Sequence, residues 1–191
     1  LFPYTTLFRS ATKITDFVTD YNALLKELTD KLSEEYDSDY LPLTDDEKEK
    51  LSEDEIAQWE EKAKTGILRN DSALSSIASE LRTSMSAIVQ SLTGEDPEML
   101  ASMGLTTGNY AEKGQIHIDT SKLKEALESD ASKVLSAFTQ KSTISYSAYA
   151  SADQMTQRFN ESGVLWRISD ILTKNMATVG KKGALISLVG S

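Results

Sequence analysis

Ile14, Val18, Tyr21, Leu25, Leu28 and Leu32 recur at alternating spacings of four and three, and Phe17 and Leu24 widen the stripe they draw. That rhythm predicts one long helix from Ala11 to about Tyr36. Its seam fits a core face inside a bundle or, over about three heptads, a self-pairing coiled coil. Leu74, Ala78, Leu81, Met85, Ile88 and Leu92 repeat the rhythm, flanked by Ile77 and Val89, and predict a second long helix from Ser72 to Leu92, stopped by Thr93-Gly94. Two seams of equal period make natural antiparallel partners. A third helix is predicted from Val164 to about Val179, with Leu165, Ile168, Leu172, Met176 and Val179 inward and Trp166 adding bulk beside them.

Between the first two helices the pattern breaks. Pro42 forces Leu41 out of helical geometry. Thr44-x-x-Glu47 and Ser52-x-x-Glu55 are capping boxes, in which hydroxyl and carboxylate satisfy reciprocal backbone N–H groups, so short helices are expected over roughly Asp45–Leu51 and Glu53–Thr65. Trp59 shares a helical face with Ile56 and Ala63, where it could anchor this insert to the bundle. Gly66 supplies a left-handed stop. Ile67-Leu68 reads as an apolar plug into a core, and Asn70, Asp71 and Ser72 offer oxygens to cap the next helix. The residues expected to carry the architecture are therefore Trp59, Ile67, Leu68, Asp71, Leu74 and Leu81, with Tyr21 and Leu25 across the seam.

After the second helix, residues from Pro97 to Met103 form at most one more turn. Gly104–Thr107 and Gln115–Asp119 are the strand-like runs, and Gly108 and Gly114 bracket their link, which predicts a β-hairpin over 104–119. An isolated hairpin is marginal in water, so it must dock through Leu105, Ile116 or Ile118. Asp119 or Thr120 caps a helix over Lys122–Glu128, with Leu123, Ala126 and Leu127 inward. Asp130 caps another over Ala131–Thr139, burying Val134, Leu135 and Phe138. Residues 140–163 read as a surface excursion with partial helix near Ala152–Phe159. Gly180-Lys-Lys-Gly183 ends the last helix ahead of an apolar tail. The fold class is mainly α: an elongated antiparallel helical bundle with a small docked β-hairpin and an acidic helical insert over 37–66. Leu1–Ser10 is out of register with all of this, has no acid, and reads as a cloning or assembly scar.

Composition sharpens the picture at one place. The 191 residues carry a formal charge of −10, and fifteen acids against three lysines fall between Glu27 and Glu61. A field of that sign disfavours non-specific binding to nucleic acid or anionic membrane. With no cysteine, disulfides and thiolate chemistry are excluded. No apolar run approaches the roughly 20 residues of a membrane span, and no signal peptide opens the chain.

Candidate chemistry is sparse. The single histidine, His117, alternates away from Ile116 and Ile118 toward solvent and has no second histidine or cysteine for a zinc site. Asp37-x-Asp39 fails as a calcium loop, because the sixth position lacks glycine and the twelfth is Lys48. No Gly-x-Ser-x-Gly, P-loop or dinucleotide fingerprint occurs. The acids already have work as helix caps and solvated surface, so a carboxylate hydrolase would need a concave pocket holding two of them. No catalytic residue, metal site or cofactor is expected. The insert reads either as a partner-binding surface or as a solvated face that keeps an oligomeric protein soluble.

The run from Trp59 through Gly66, Asn70 and Asp71 to Arg82 resembles the C-terminal region of the flagellar filament-capping family, the flagellar hook-associated protein 2 family. The likeness includes Asp16-Phe17, Tyr21–Leu24 and Leu41–Asp45 upstream. Downstream it takes in Met103–Thr107, Gly114–Asp119, Lys122–Leu127, Arg158–Val164, Arg167–Asp170 and Lys181–Gly183. It covers nearly everything after residue 10, in the family's order. It implies the C-terminal part of a helical leg domain, whose β-rich heads and N-terminal segment lie upstream and whose terminal coiled coil lies downstream, so that this chain would be a fragment. It further implies a structural role without covalent chemistry: a ring-shaped oligomer at the flagellum tip, outside the cell. There it would retain flagellin and promote its polymerisation, touch the hook–filament junction proteins, and be exported through the flagellar secretion channel without a cleavable signal. A generic helical interaction or adhesin-like module is the alternative.

Overall fold

The computed structural model describes residues 4–87 and 99–176. Its elements are α1 (Tyr4–Ser33), α2 (Asp45–Lys48), α3 (Glu53–Ala63), α4 (Ser72–Ser86), α5 (Met99–Ser102), β1 (Leu105–Thr107), β2 (Ile116–Ile118), α6 (Thr120–Thr139), α7 (Ala152–Glu161) and α8 (Val164–Asn175). The protein is mainly α, as its periodicity predicts. The expected helix positions at Ile88, Val89, Leu92 and Val179, the Thr93-Gly94 and Gly180–Gly183 stops, and the tail from Ala184 lie outside the described residues.

The core is built where α1, α4, α6 and α8 meet. From α1 it takes Ile14, Val18, Tyr21 and Leu25; from α4, Leu74, Ile77, Ala78, Leu81 and Met85; from α6, Leu123, Leu127, Val134 and Phe138. Each fully buried aliphatic side chain contributes about 1.5–3 kcal/mol, so the seams rather than helix propensity hold the bundle. Helices α1 and α4 run antiparallel: Asn70 N–H, just before α4, bonds Leu32 O near the end of α1, while Arg82, a dozen residues on, lies near Tyr21. Burial pushes the Tyr21 phenol up to about 12, against the opposing charge of Arg82.

Helix α1 begins at Tyr4, seven residues before the expected start, and Leu7 packs against the core. It ends at Ser33, three residues early. Helix α6 is two helices in one run. Asp130 breaks the backbone (φ −150°, ψ 81°) and its carboxylate accepts from Lys133 N–H at 2.9 Å, the cap expected there.

The hairpin is antiparallel, with Leu105 opposite Ile118, Thr106 opposite His117 and Thr107 opposite Ile116. Leu105 and Ile116 are buried against the bundle. What fixes β2 on α1 is a polar contact: Asn22 Nδ2 donates to Ile116 O at 2.9 Å, and Ile116 N–H donates to Asn22 Oδ1 at 2.8 Å. The side-chain amide thus stands in for the peptide of a third strand and satisfies the edge that an isolated hairpin leaves open.

Two helix ends correct the expectation. Helix α4 was expected to reach Leu92 but ends at Ser86, with Ala87 extended (φ −76°, ψ 141°). Helix α8 ends at Asn175, with Met176 extended, and its buried face is Val164, Arg167, Ile171 and Asn175 rather than the expected row. Leu165 and Met176, both expected inside, are 39% and 54% exposed. Ile168 remains partly buried. One residue accounts for the altered face of α8 and for the satisfied end of α4: Arg167.

Candidate interaction site

Arg167 is 1% exposed. Its Nε donates to Phe159 O at 2.8 Å, and its Nη1 donates to Ala87 O at 2.7 Å and to Ser84 O at 3.3 Å. The guanidinium also lies 4.4 Å from the Phe159 ring centre. A helix leaves its last carbonyls without backbone partners, and a cation is favoured at that negative end. Arg167 therefore turns α8 by one position so that its fork closes α4 and ties in α7. Burial lowers its pKa to about 10, which leaves it charged at neutral pH. Next to it in the chain, Trp166 Nε1 donates to Thr139 O at 2.9 Å, with the Lys141 ammonium over its ring. Gly163 N–H bonds Gln140 O at 2.9 Å, and a Cβ there would stand 2.6 Å from the Phe138 carbonyl carbon, so only glycine permits this approach of α8 to α6.

The cleft beside this joint, about 390 Å³, lies between the 140–151 loop, α7, α8 and the middle of α4. It holds two carboxylates, the arrangement a hydrolase would need. Both are taken by cations: Arg158 grips Asp170 through Nε and Nη2 at 2.6 and 2.9 Å, and Lys174 reaches Glu80 at 2.7 Å. The 140–163 excursion is closed by Glu161, which accepts from Gln157, Ser142 and Thr143; those bonds hold its carboxyl down at about 2.

The acidic insert is organised by local contacts. Thr44 and Ser52 N–H groups both donate to the glutamate three residues on, at 2.9 Å, so both capping boxes form. The backbone N–H bonds of Thr44 and Ser52, followed by those from their hydroxyls, lower the pKa of Glu47 and of Glu55. Lys48 Nζ reaches Glu60 at 2.7 Å and lowers its pKa. Trp59, read from the sequence as an anchor of the insert, has contacts within the insert itself. Its Nε1 donates to Leu41 O at 2.8 Å and its ring meets Tyr40 edge-on at 4.8 Å, so it folds the insert onto itself. Asp39 N–H bonds Asp37 Oδ1, which accounts for the Asp-x-Asp pair as a turn. Among the described residues no group of three metal-ligating side chains occurs.

Of the residues expected to carry the architecture, Tyr21, Leu25, Leu74 and Leu81 are buried in the core. Asp71 caps α4 through Leu74 N–H at 2.8 Å. The Ile67-Leu68 plug is half correct: Leu68 packs on the core, but Ile67 is 59% exposed. Gly66 is left-handed (φ +75°), as a helix stop requires. Gly66 N–H donates to Glu34 at 3.0 Å, the largest cause of that carboxyl's lowered pKa. His117 is exposed and lies 2.9 Å from Glu112. Sequence reasoning missed Arg167 and Asn22. The signal for Arg167 was its place in line with Val164 and Ile171, three and four residues away.

No described helix is long and apolar enough to cross a membrane. The family model described as "Flagellar hook-associated protein 2 C-terminus" matches residues 9–188. The chain is 35% identical over 169 residues to flagellar hook-associated protein 2 of Halalkalibacterium halodurans, covering 86% of this chain and 31% of that protein. It is 32% identical over 132 residues to flagellar hook-associated protein 2 of Thermotoga maritima, covering 66% of this chain and 19% of that protein. The chain thus spans about a third or less of the curated relatives it matches. No solved structure matches it significantly.

Proposed function

This chain belongs to the flagellar hook-associated protein 2 C-terminal family, and on that premise we propose that it forms part of the leg of a flagellar filament cap. The observation that carries the reading is the match across residues 9–188, which takes in α1 from Arg9 onward and every described element after it. In this reading the protein sits at the flagellum tip, retains flagellin, promotes its polymerisation and works by contact rather than covalent chemistry. It meets the hook–filament junction proteins during assembly, self-associates into a ring in its full-length parent, and leaves the cell through the flagellar secretion system without a cleavable signal. The described architecture suits that role. A bundle whose helix α1 alone spans about 45 Å is a stiff strut.

The test is complementation. The full-length parent containing this region is expressed in a cap-deficient strain, beside the same parent carrying Arg167→Ala. The intact parent should restore filaments and motility, while the variant should release flagellin monomer into the medium. If the intact parent neither restores filaments nor retains flagellin, the cap assignment is overturned.

A further inference from the structure

A groove of about 290 Å³ lies between α1 and the end of α6, with Leu165 of α8 beside it. Phe17 and Phe138, which meet edge to face at 6.0 Å, line it together with Leu135 and Leu165. Leu165 is the residue that α8 leaves 39% exposed, which brings the apolar wall to the surface. The charged lining is Arg9 and Lys13, one helical turn apart on α1 and both exposed, and no described lining residue is a carboxylate. Among the described residues neither cation has a hydrogen-bond or ion-pair partner. The cleft beside Arg167 is the reverse case, since its Arg158 and Lys174 are held by Asp170 and Glu80. On a chain of net −10, two free cations next to uncovered apolar side chains are a local reversal of sign. Lys13 and the four apolar residues lie beyond Ser10, and Arg9 opens the stretch that the family model matches.

We propose that this groove seats an amphipathic helix of a protein partner, one that carries acidic side chains a turn apart along the edge of its apolar face. Helices α1 and α6 pack against each other, and the trough between two packed helices is the shape into which the ridge of a third helix fits. Such a helix presents apolar anchors at i, i+3, i+4 and i+7. Arg9 and Lys13 stand about 6 Å apart along α1, the separation of two acids four residues apart on the partner. Burial of the anchors against Phe17, Leu135 and Leu165 supplies affinity. The free cations select the sign of the partner and steer its approach, and no internal ion pair has to break to release them. The inference goes beyond the cap reading, because it names the chemistry of a partner from residues of this chain alone.

The probes are three peptides of about 18 residues, long enough to form a helix. The first has leucines repeating every three and four residues, glutamates flanking them, and alanine and glutamine elsewhere. The second has lysine in place of every glutamate. The third has the composition of the first with its leucines scattered round the helix. Each carries a neutral fluorophore, and anisotropy follows its binding to the full 191-residue chain. The net charge of the chain favours the lysine peptide. The groove predicts the opposite order, with the glutamate peptide binding on the order of tenfold tighter than either of the others. In chains carrying Arg9→Glu with Lys13→Glu, the order of the glutamate and lysine peptides should invert while helical circular dichroism is unchanged. Tighter binding of the lysine peptide to the unaltered chain would overturn the groove. So would equal binding of the scattered peptide, no binding at all, or an order that the double substitution leaves as it was. Preference for the glutamate peptide with a parent that fails complementation keeps the groove and removes the cap reading. Restored filaments without that preference do the reverse.

Discussion

The bundle and the acidic insert are held together by opposite means. In the bundle, seams from α1, α4, α6 and α8 interlock across long sequence separations, and the buried Arg167 donates to the carbonyls of Ser84, Ala87 and Phe159. In the insert, nearly every contact joins residues close in sequence: two capping boxes, the Lys48–Glu60 pair, and Trp59 against Tyr40 and Leu41. Its only buried helical residue is Ala63. It joins the bundle at its two ends, through Glu34 to Gly66, through Leu32 to Asn70 and through Leu68. A region stabilised by exposed charges and caps responds to pH and salt, whereas one stabilised by buried area does not. The same molecule therefore carries a rigid strut and a softer, charged appendage.

The largest effect should come from the joint. Arg167→Ala leaves three carbonyls without their donor in a buried place and should cost about 3–5 kcal/mol, read as a fall in the urea midpoint of helical circular dichroism. Arg167→Met keeps the stem's packing and should recover part of that loss. A loss within about 0.5 kcal/mol for Arg167→Ala would mean that the bundle does not depend on this fork.

Gly66→Ala comes next and should separate the two regions. A Cβ there stands 2.5 Å from the backbone of Tyr36, at a φ of +75° that disfavours any side chain. The penalty, about 1–3 kcal/mol, should appear in the insert, as a changed Trp59 emission, with the core helices intact.

The smallest and most selective effect is that of acid. Glu34, Glu47, Glu55 and Glu60 all have folded pKa values lowered from 4.5, so each contributes stability that is present above pH 4.5 and lost as pH falls through its folded value. Glu161, held down at about 2, does the same for the 140–163 excursion across the window from 4.5 to about 2. Acidification should therefore loosen the insert and this excursion before the core, with Trp59 emission changing at a higher pH than circular dichroism at 222 nm. Glu161→Gln should blunt the part of the acid response that belongs to the excursion.

The helical seams were legible because buried leucines and valines leave a periodic trace. The four-three rows on α1 and α4 named the core residues Tyr21, Leu25, Leu74 and Leu81, and caps at Thr44, Ser52, Asp71 and Asp130 placed helix starts to the residue. What failed was the reading of polar side chains inside. Arg167 and Asn175 occupy core positions on α8, so a search for apolar rows slid to Leu165 and Met176 and turned the helix the wrong way. Asn22 was hidden for the same reason: its partner is the backbone of Ile116, 94 residues away, and a backbone partner leaves no pattern in the sequence. Ile67 shows the converse, an apolar residue whose hydrophobicity suggested a core position but which is 59% exposed.

The two tryptophans, Trp59 in the insert and Trp166 at the meeting of α6 and α8, let the contrast be measured directly. Urea titration of Trp166→Phe follows Trp59 alone, and titration of Trp59→Phe follows Trp166 alone. Separate regions predict that Trp59 reports an unfolding midpoint at lower urea than Trp166, with a shallower slope because less surface is exposed. Coincident midpoints with equal slopes would show one cooperative unit and contradict the division into strut and appendage.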